Sequence, residues 1–199
     1  AELQANGTFV NLLPELEAPV FKMDLKGYPS KGKANAPIQL VEFADYRCSY
    51  CVEAKAAIEK VMKEYPDKIE YFYIDYPVID RGTPGISTAV AHGGYCAGKQ
   101  GKYWQFHNKA YDMASRLDMN SPLAIAKELG LNQKKFDICM ATKKEDAYGE
   151  YVKKALDFAQ EIGVLSTPSF FINGQPKAFN NLEEDLKKEV ERLINAKKK

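Results

Sequence analysis

Two cysteines three positions apart, in Cys48-Ser49-Tyr50-Cys51, stand where one hydrophobic period gives way to another, and no other feature constrains the chain as tightly. Ahead of them, Pro37 to Phe43 (PIQLVEF) gathers β-branched and aromatic residues into a short run bounded by Ala36 and Asp45, which reads as a buried strand. Behind them, Cys51, Ala54, Ile58, Val61 or Met62, and Tyr65 recur at threes and fours, one face of a helix that stops near Pro66. Cys48 is thereby placed at a helix N-terminus and Cys51 nearly one turn inside. Unpaired backbone N–H groups and the positive end of the helix dipole favour an anion at the first position, lowering a thiol pKa from about 8.5 into the range of roughly 3.5–7.5. Cys48 is therefore expected to be a thiolate at neutral pH. Cys51, on the apolar face, is shielded from solvent but can reach the Cys48 sulfur to close a disulfide or release a mixed one. Such a pair performs two-electron exchange with no cofactor.

The rest of the pattern is that of a layered α/β chain. Ile69 to Ile74 (IEYFYI) is a second strand, and Ser169 to Ile172 turns at Asn173-Gly174 into Gln175 to Phe179, a hairpin signal. A last helix begins near Leu182, with Leu182, Leu186, Val190 and Leu193 on one stripe. Residues 84–162 read as a helical block. In it, Ser121 followed by Pro122 caps a helix closed at Gly130, and Asn132 caps the next. Tyr148, Tyr151 or Val152, Ala155, Phe158 and Ile162 mark a longer helix ended at Gly163. Pro14, Pro19, Gly27, Pro29 and Gly32 break any period in residues 1–34, an N-terminal arm expected to drape over the main domain. The plan is β-α-β, a helical insertion, then β-β-α. It buries one mixed sheet, built from residues 35–83 and 163–199, between helices, with residues 84–162 inserted.

Composition removes several classes of function. With 45% apolar and 28% charged side chains in 199 residues, the chain is of ordinary globular type, and no apolar run approaches the roughly 20 residues that span a bilayer. The 28 Lys and Arg against 27 Asp and Glu leave a net charge of +1 and no basic stripe beyond Lys197, Lys198 and Lys199, so nucleic acid is not an expected partner. A zinc site wants four ligands, and His92, Cys96 and His107 lack the spacing. Haem attachment needs a histidine where Val52 stands, so no metal is expected. His92 and His107 read as packing or surface residues. Tyr71 and Tyr73 read as core, whereas Tyr46, Tyr50 and Tyr76 can form an apolar surface around the cysteine pair. On the residues alone the pair is either redox-active or a structural disulfide.

The run Val41-Glu42-Phe43-Ala44-Asp45-Tyr46-Arg47-Cys48-Ser49-Tyr50-Cys51, followed far downstream by Gly163-Val164-Leu165-Ser166-Thr167-Pro168-Ser169-Phe170-Phe171-Ile172-Asn173-Gly174, closely resembles the DsbA-like thiol-disulfide oxidoreductases of the thioredoxin superfamily. The likeness spans about Pro29 to Lys187, and Cys96 to His107 (CAGKQGKYWQFH) resembles the first insertion helices of that family. It implies a thioredoxin fold, a central mixed β-sheet flanked by helices, with an inserted helical domain. It implies an enzyme exported to an oxidising compartment such as the bacterial periplasm, acting as a monomeric disulfide oxidase on folding proteins. The implied partners are protein thiols in unfolded polypeptides and a membrane or soluble redox partner that resets the pair.

The resemblance also implies roles for further residues. Thr167-Pro168 matches the family's loop in which the proline is cis and faces the C-x-x-C, leaving the preceding backbone to pair with an extended substrate. Thr167 and Pro168 are thus expected to bind substrate together with Ser49 and Tyr50. Glu42, on one strand face with Ile38 and Leu40, stands where the family commonly has an acid. Burial there should raise its pKa toward neutrality, where it can accept or return the proton of Cys51. Ser49-Tyr50 departs from the Pro-His pair of the strongest oxidants, since Tyr50 lends no positive charge and Ser49 only a hydrogen bond. A reductase of the same compartment therefore stays open, as does, more distantly, a binding module with a structural disulfide. Cys96 and Cys139 both fall in helical stretches of the insertion facing a shared core, and some members of the family carry a second pair. The implied structural disulfide Cys96–Cys139 stands against the reading of two buried thiols.

Overall fold

The structure, a computed structural model, describes residues 19–141 and 149–196. Strand β1 (Ser30–Gly32) leads into β2 (Ile38–Ala44), helix α1 (Ser49–Glu64) and β3 (Ile69–Asp75). Helices α2 (Ile86–Gly98), α3 (Tyr103–Asp112), α4 (Ser121–Glu128), α5 (Gln133–Ala141) and α6 (Gly149–Glu161) come next. Strands β4 (Ser169–Ile172) and β5 (Gln175–Lys177) and helix α7 (Leu182–Ala196) follow. The strands form one mixed sheet in the order β1-β3-β2-β4-β5. Within it β2 and β3 run parallel, a pairing that requires α1 as a crossover, and the other neighbours are antiparallel.

Strand β2 lies at the centre with both faces covered, which is why its sequence is a nearly continuous apolar run. Ile38, Leu40 and Ala44 join the larger core with Cys51, Ala54, Ile58 and Val61 of α1 and with Leu186 and Val190 of α7. Val41 and Phe43 point the other way, into a smaller core with Leu25, Tyr28, Ala155 and Ala159. Strand alternation therefore turns Glu42 into the larger core, on the side of α1.

Several local signals play out as chemistry dictates, and two do not. At the β4–β5 turn Asn173 and Gly174 have φ of 49° and 80°, the pair of left-handed residues that a tight hairpin needs. A Cβ on Gly174 would come within 2.4 Å of the Phe21 carbonyl oxygen, because the Phe21 N–H bonds back to the Gly174 carbonyl at 2.8 Å. Asn132 Oδ1 accepts the Lys135 N–H at 2.9 Å in the manner of an N-cap. Gly163, at φ 75°, ends α6 with the Val164 N–H bonded to the Ala159 carbonyl at 2.8 Å, while Tyr148 lies outside the described residues. Ser121 is the first residue of α4 and not its cap; Asn120 precedes it, and Ser121 Oγ accepts the Asp118 N–H at 2.8 Å. Residues 30–32, expected within an irregular arm, pair antiparallel with β3 as the edge strand β1. Three residues are too few to leave a period in the sequence.

Cys96 of α2 and Cys139 of α5 are joined by a disulfide. At a sequence separation of 43 it closes a loop of about 44 residues, which in the chain-entropy account is worth at most about 4 kcal/mol. Replacing both by serine is expected to lower the urea midpoint of unfolding by a large part of that stability. An unchanged midpoint would contradict a structural role.

Candidate active site

The turn into α1 is organised by a buried carboxylate. Asp45 accepts the Arg47 N–H at 2.9 Å, the Ile79 N–H at 3.0 Å and the Ser87 hydroxyl at 2.8 Å, and its carbonyl accepts the Cys48 N–H at 3.0 Å. Cys48 follows as the N-cap residue of α1, with extended backbone (φ −79°, ψ 118°), and its carbonyl accepts the N–H groups of Cys51 and Val52 at 3.1 and 3.2 Å. Among the described residues no side chain caps this helix, so its first-turn N–H groups face the Cys48 sulfur.

Cys48 is 8% exposed and Cys51 is fully buried, and neither is in a disulfide. The Thr167-Pro168 peptide is cis, and the Thr167 carbonyl lies 3.4 Å from Cys48 Sγ. Hydrogen bonding from the Cys51 thiol contributes most to bringing Cys48 down to about 6, against burial; the Thr167 side chain and the N–H groups of Cys51 and Tyr50 add to it. Burial, then donation to Cys48 and the charge of Glu42, push the Cys51 thiol far above the usual range. The proton of the pair therefore resides on Cys51.

Glu42 is 1% exposed. Burial raises its carboxyl to about 7, opposed by a hydrogen bond from Tyr71 and by the charge of Lys31. The Tyr71 O–H donates to Oε2, while Oε1 is buried and has no hydrogen-bond partner among the described residues. Glu42 is thus close enough to the dithiol for its charge to be felt by Cys51, and poised to exchange a proton near neutrality.

Ser49 and Tyr50 open the helix on the exposed side, Tyr50 at 69% exposure. Tyr50 and Pro168 share the wall of a groove of about 810 Å³ with Phe21, Leu165 and Phe179. Of the three tyrosines expected around the pair, Tyr46 turns inward: it is 1% exposed, with its ring against Tyr73 and Tyr111. Tyr76 is partly buried and donates to the Val164 carbonyl at 3.1 Å, which leaves Tyr50 as the one facing solvent. His107 packs among Tyr46, Tyr73, Trp104 and Tyr111, and burial holds it well below its usual pKa. His92 Nε2 lies 3.0 Å from the Cys139 carbonyl. His92, Cys96 and Cys139 offer ligand atoms within 4.8 Å of one another, but the disulfide takes both sulfurs.

The sequence reading missed the partners of Glu42. Tyr71 reads as plain core, and Lys31 lies in what reads as an arm; the β2–β3 register that brings Tyr71 to Glu42 and the β1–β3 pairing that places Lys31 leave no mark in any one segment alone. It also passed over Asp75, a buried carboxylate that accepts the hydroxyls of Tyr103 and Tyr151, both at 2.8 Å, and that burial raises to about 7.

A dithiol at the head of the helix that follows the central strand, on a mixed sheet of this strand order, is the arrangement of a thioredoxin fold. The chain belongs to the thioredoxin family, whose pattern, described as Thioredoxin, matches residues 25–192. Among solved structures it is similar to a thioredoxin-like oxidoreductase from Silicibacter pomeroyi DSS-3, at 25% identity and a TM-score of 0.72 over 84% of this chain and 92% of that one. It shares its fold with the thiol-disulfide exchange protein alpha-DsbA2 from Wolbachia pipientis, at 24% identity and a TM-score of 0.70 over 83% and 87% of the two chains. It is also 27% identical over 144 residues to the Na(+)/H(+) antiporter NhaA 1 of Mycolicibacterium vanbaalenii. That match covers 72% of this chain but only 23% of the antiporter, so the chain spans about a quarter of the length of the curated relatives it matches. Among the described residues no helix is long and apolar enough to cross a membrane.

Proposed function

We propose that the protein is an extracytoplasmic disulfide oxidase for folding polypeptides, with Cys48 as the exchanging sulfur, Cys51 as its resolving partner and Glu42 as the proton carrier of Cys51. The observation that carries this reading is the split between the two sulfurs: Cys48, at the start of α1, is held at about 6, while Cys51 is buried and holds its proton. In the oxidised protein a substrate thiolate attacks Cys48 Sγ. The Cys48–Cys51 bond breaks, and Cys51 leaves with the electron pair and takes a proton from Glu42. A second substrate thiolate then attacks the substrate sulfur of the mixed disulfide and expels Cys48 as a thiolate, a good leaving group because its pKa is low. Two substrate thiols become a disulfide, the active pair gains two electrons, and a redox partner must take them away.

Substrate seats as an extended segment beside Thr167 and Pro168, with Ser49 and Tyr50 on the other side of the sulfur. The protein works as a monomer, needs no cofactor, and binds protein thiols and not nucleic acid. Stabilising the Cys48 thiolate stabilises the reduced pair, which makes the disulfide oxidising. The reductase reading draws on the same value, since about 6 lies nearer thioredoxin, at about 7, than DsbA, at about 3.5. Equilibration with a glutathione redox buffer separates the two on a scale from about −270 mV for thioredoxin to about −120 mV for DsbA. A potential on the oxidising side of about −200 mV is expected; one near about −270 mV would replace the oxidase by the reductase.

A further inference from the structure

We propose that Tyr71 is the residue that positions Glu42 for proton exchange with Cys51, and that Lys31, reaching in from the edge strand β1, supports the charged form of that carboxylate. The inference rests on Glu42 being the proton carrier of Cys51. The parallel register sets Leu40 opposite Tyr71 and Glu42 opposite Tyr73, so both tyrosines share the Glu42 side of the sheet. Tyr71 is 2% exposed, and its O–H donates to Glu42 Oε2. Burial, first, and the neighbouring carboxylate hold the Tyr71 hydroxyl well above its ordinary range, so it is always a donor. With Oε2 committed to that donor, the buried and unpartnered Oε1 is the oxygen left to take a proton. A core role for Tyr71 would need only its ring; the hydroxyl is what Glu42 uses.

Lys31 completes the arrangement from a different element. Its Nζ lies 5.4 Å from the centre of the Tyr71 ring and 4.9 Å from that of Trp104, and 3.5 Å from Glu59, which also pairs with Lys55 at 3.0 Å. The groups that bear on Glu42 come from every side. Cys51 comes from α1 and Cys48 from its N-cap, Tyr71 and, by register, Tyr73 from β3, Tyr111 from α3, bonded to the Tyr73 hydroxyl at 2.9 Å, and Lys31 from β1. The register partner on β4 is Phe170, which carries no charge. Lys31 supplies the positive charge in this set, and His107 nearby is held neutral by burial.

The test uses the reduced protein and two readouts. One is the titration of the Glu42 carboxyl by ¹³C NMR; the other is the pH dependence of the rate at which Cys51 releases a thiol peptide after Cys48 has attacked the peptide's disulfide. Tyr71→Phe keeps the ring and removes the donor, so the charged carboxylate loses a hydrogen bond. Its titration should move upward from about 7 by about one pH unit, and the acid limb of the release rate should move with it, the rate recovering at higher pH. Lys31→Met should move both in the same direction by less. Tyr71→Phe with a native fold and an unmoved titration and limb would overturn the proposal; if that variant does not fold, an unmoved titration in Lys31→Met overturns it instead. Glu42→Gln separates this outcome from failure of the underlying reading. If it leaves the acid limb in place, Glu42 is not the proton carrier; if it abolishes the limb while Tyr71→Phe leaves it untouched, only the positioning role falls.

Discussion

Cys51→Ser, reduced and mixed with a disulfide-bonded protein substrate, is expected to accumulate as a covalent adduct through Cys48. The first attack needs only the Cys48 sulfur, whereas release needs a second sulfur about one helical turn along, and a serine hydroxyl does not attack a disulfide. The position matters as much as the element: Cys51 is the sulfur the fold holds within hydrogen-bond reach of Cys48. One side effect follows from the same geometry. Donation by the Cys51 thiol is the largest contribution holding Cys48 down, so in the variant Cys48 becomes a weaker acid unless the serine hydroxyl supplies an equivalent bond. The trap should therefore fill slowly near pH 6 and to near stoichiometry at about pH 8. A non-reducing gel shift that dithiothreitol reverses, and that is absent when Cys48 is also replaced, checks it; free turnover of Cys51→Ser would rule out the assigned order of attack.

Cys48→Ser is expected to bring exchange down to the uncatalysed rate while leaving the fold intact. Cys51 cannot stand in for it, because burial keeps that thiol protonated and away from substrate. The loss should appear equally in insulin reduction followed by turbidity and in oxidation of a dithiol peptide, since both routes pass through the same sulfur. Circular dichroism and thermal unfolding close to those of the unmodified protein would complete the case, as Cys48 lies at the surface end of the core and the Cys96–Cys139 disulfide is remote in the chain.

What the amino-acid sequence revealed and what it hid divide along a physical line. Local chemistry was legible: the strand-to-helix junction at Cys48, the Asn173-Gly174 turn, the stripe of α7 and the stop at Gly163 each depend on residues close together in the chain. Relations across the sheet were not. Whether Tyr71 meets Glu42 depends on the parallel register of β2 with β3, and whether Lys31 reaches them depends on β1, a strand of three residues. Tyr46 misled for a related reason. Its place two residues before Cys48 suggested a surface role, but the Asp45-centred turn directs its ring inward, toward Tyr73 and Tyr111. Ser121 resembled a cap because serine before proline usually is one, yet the helix starts one residue earlier and its hydroxyl serves Asp118.

The proposed chemistry turns on a thiolate at the head of α1, and alkylation of the reduced protein with iodoacetamide across pH addresses it most directly. The reactive form is the thiolate, so the rate at Cys48 should rise as pH increases through about 6 and reach a plateau by neutrality, with Cys51 unlabelled throughout. A midpoint near the ordinary thiol value of about 8.5, or labelling of Cys51 ahead of Cys48, would contradict it.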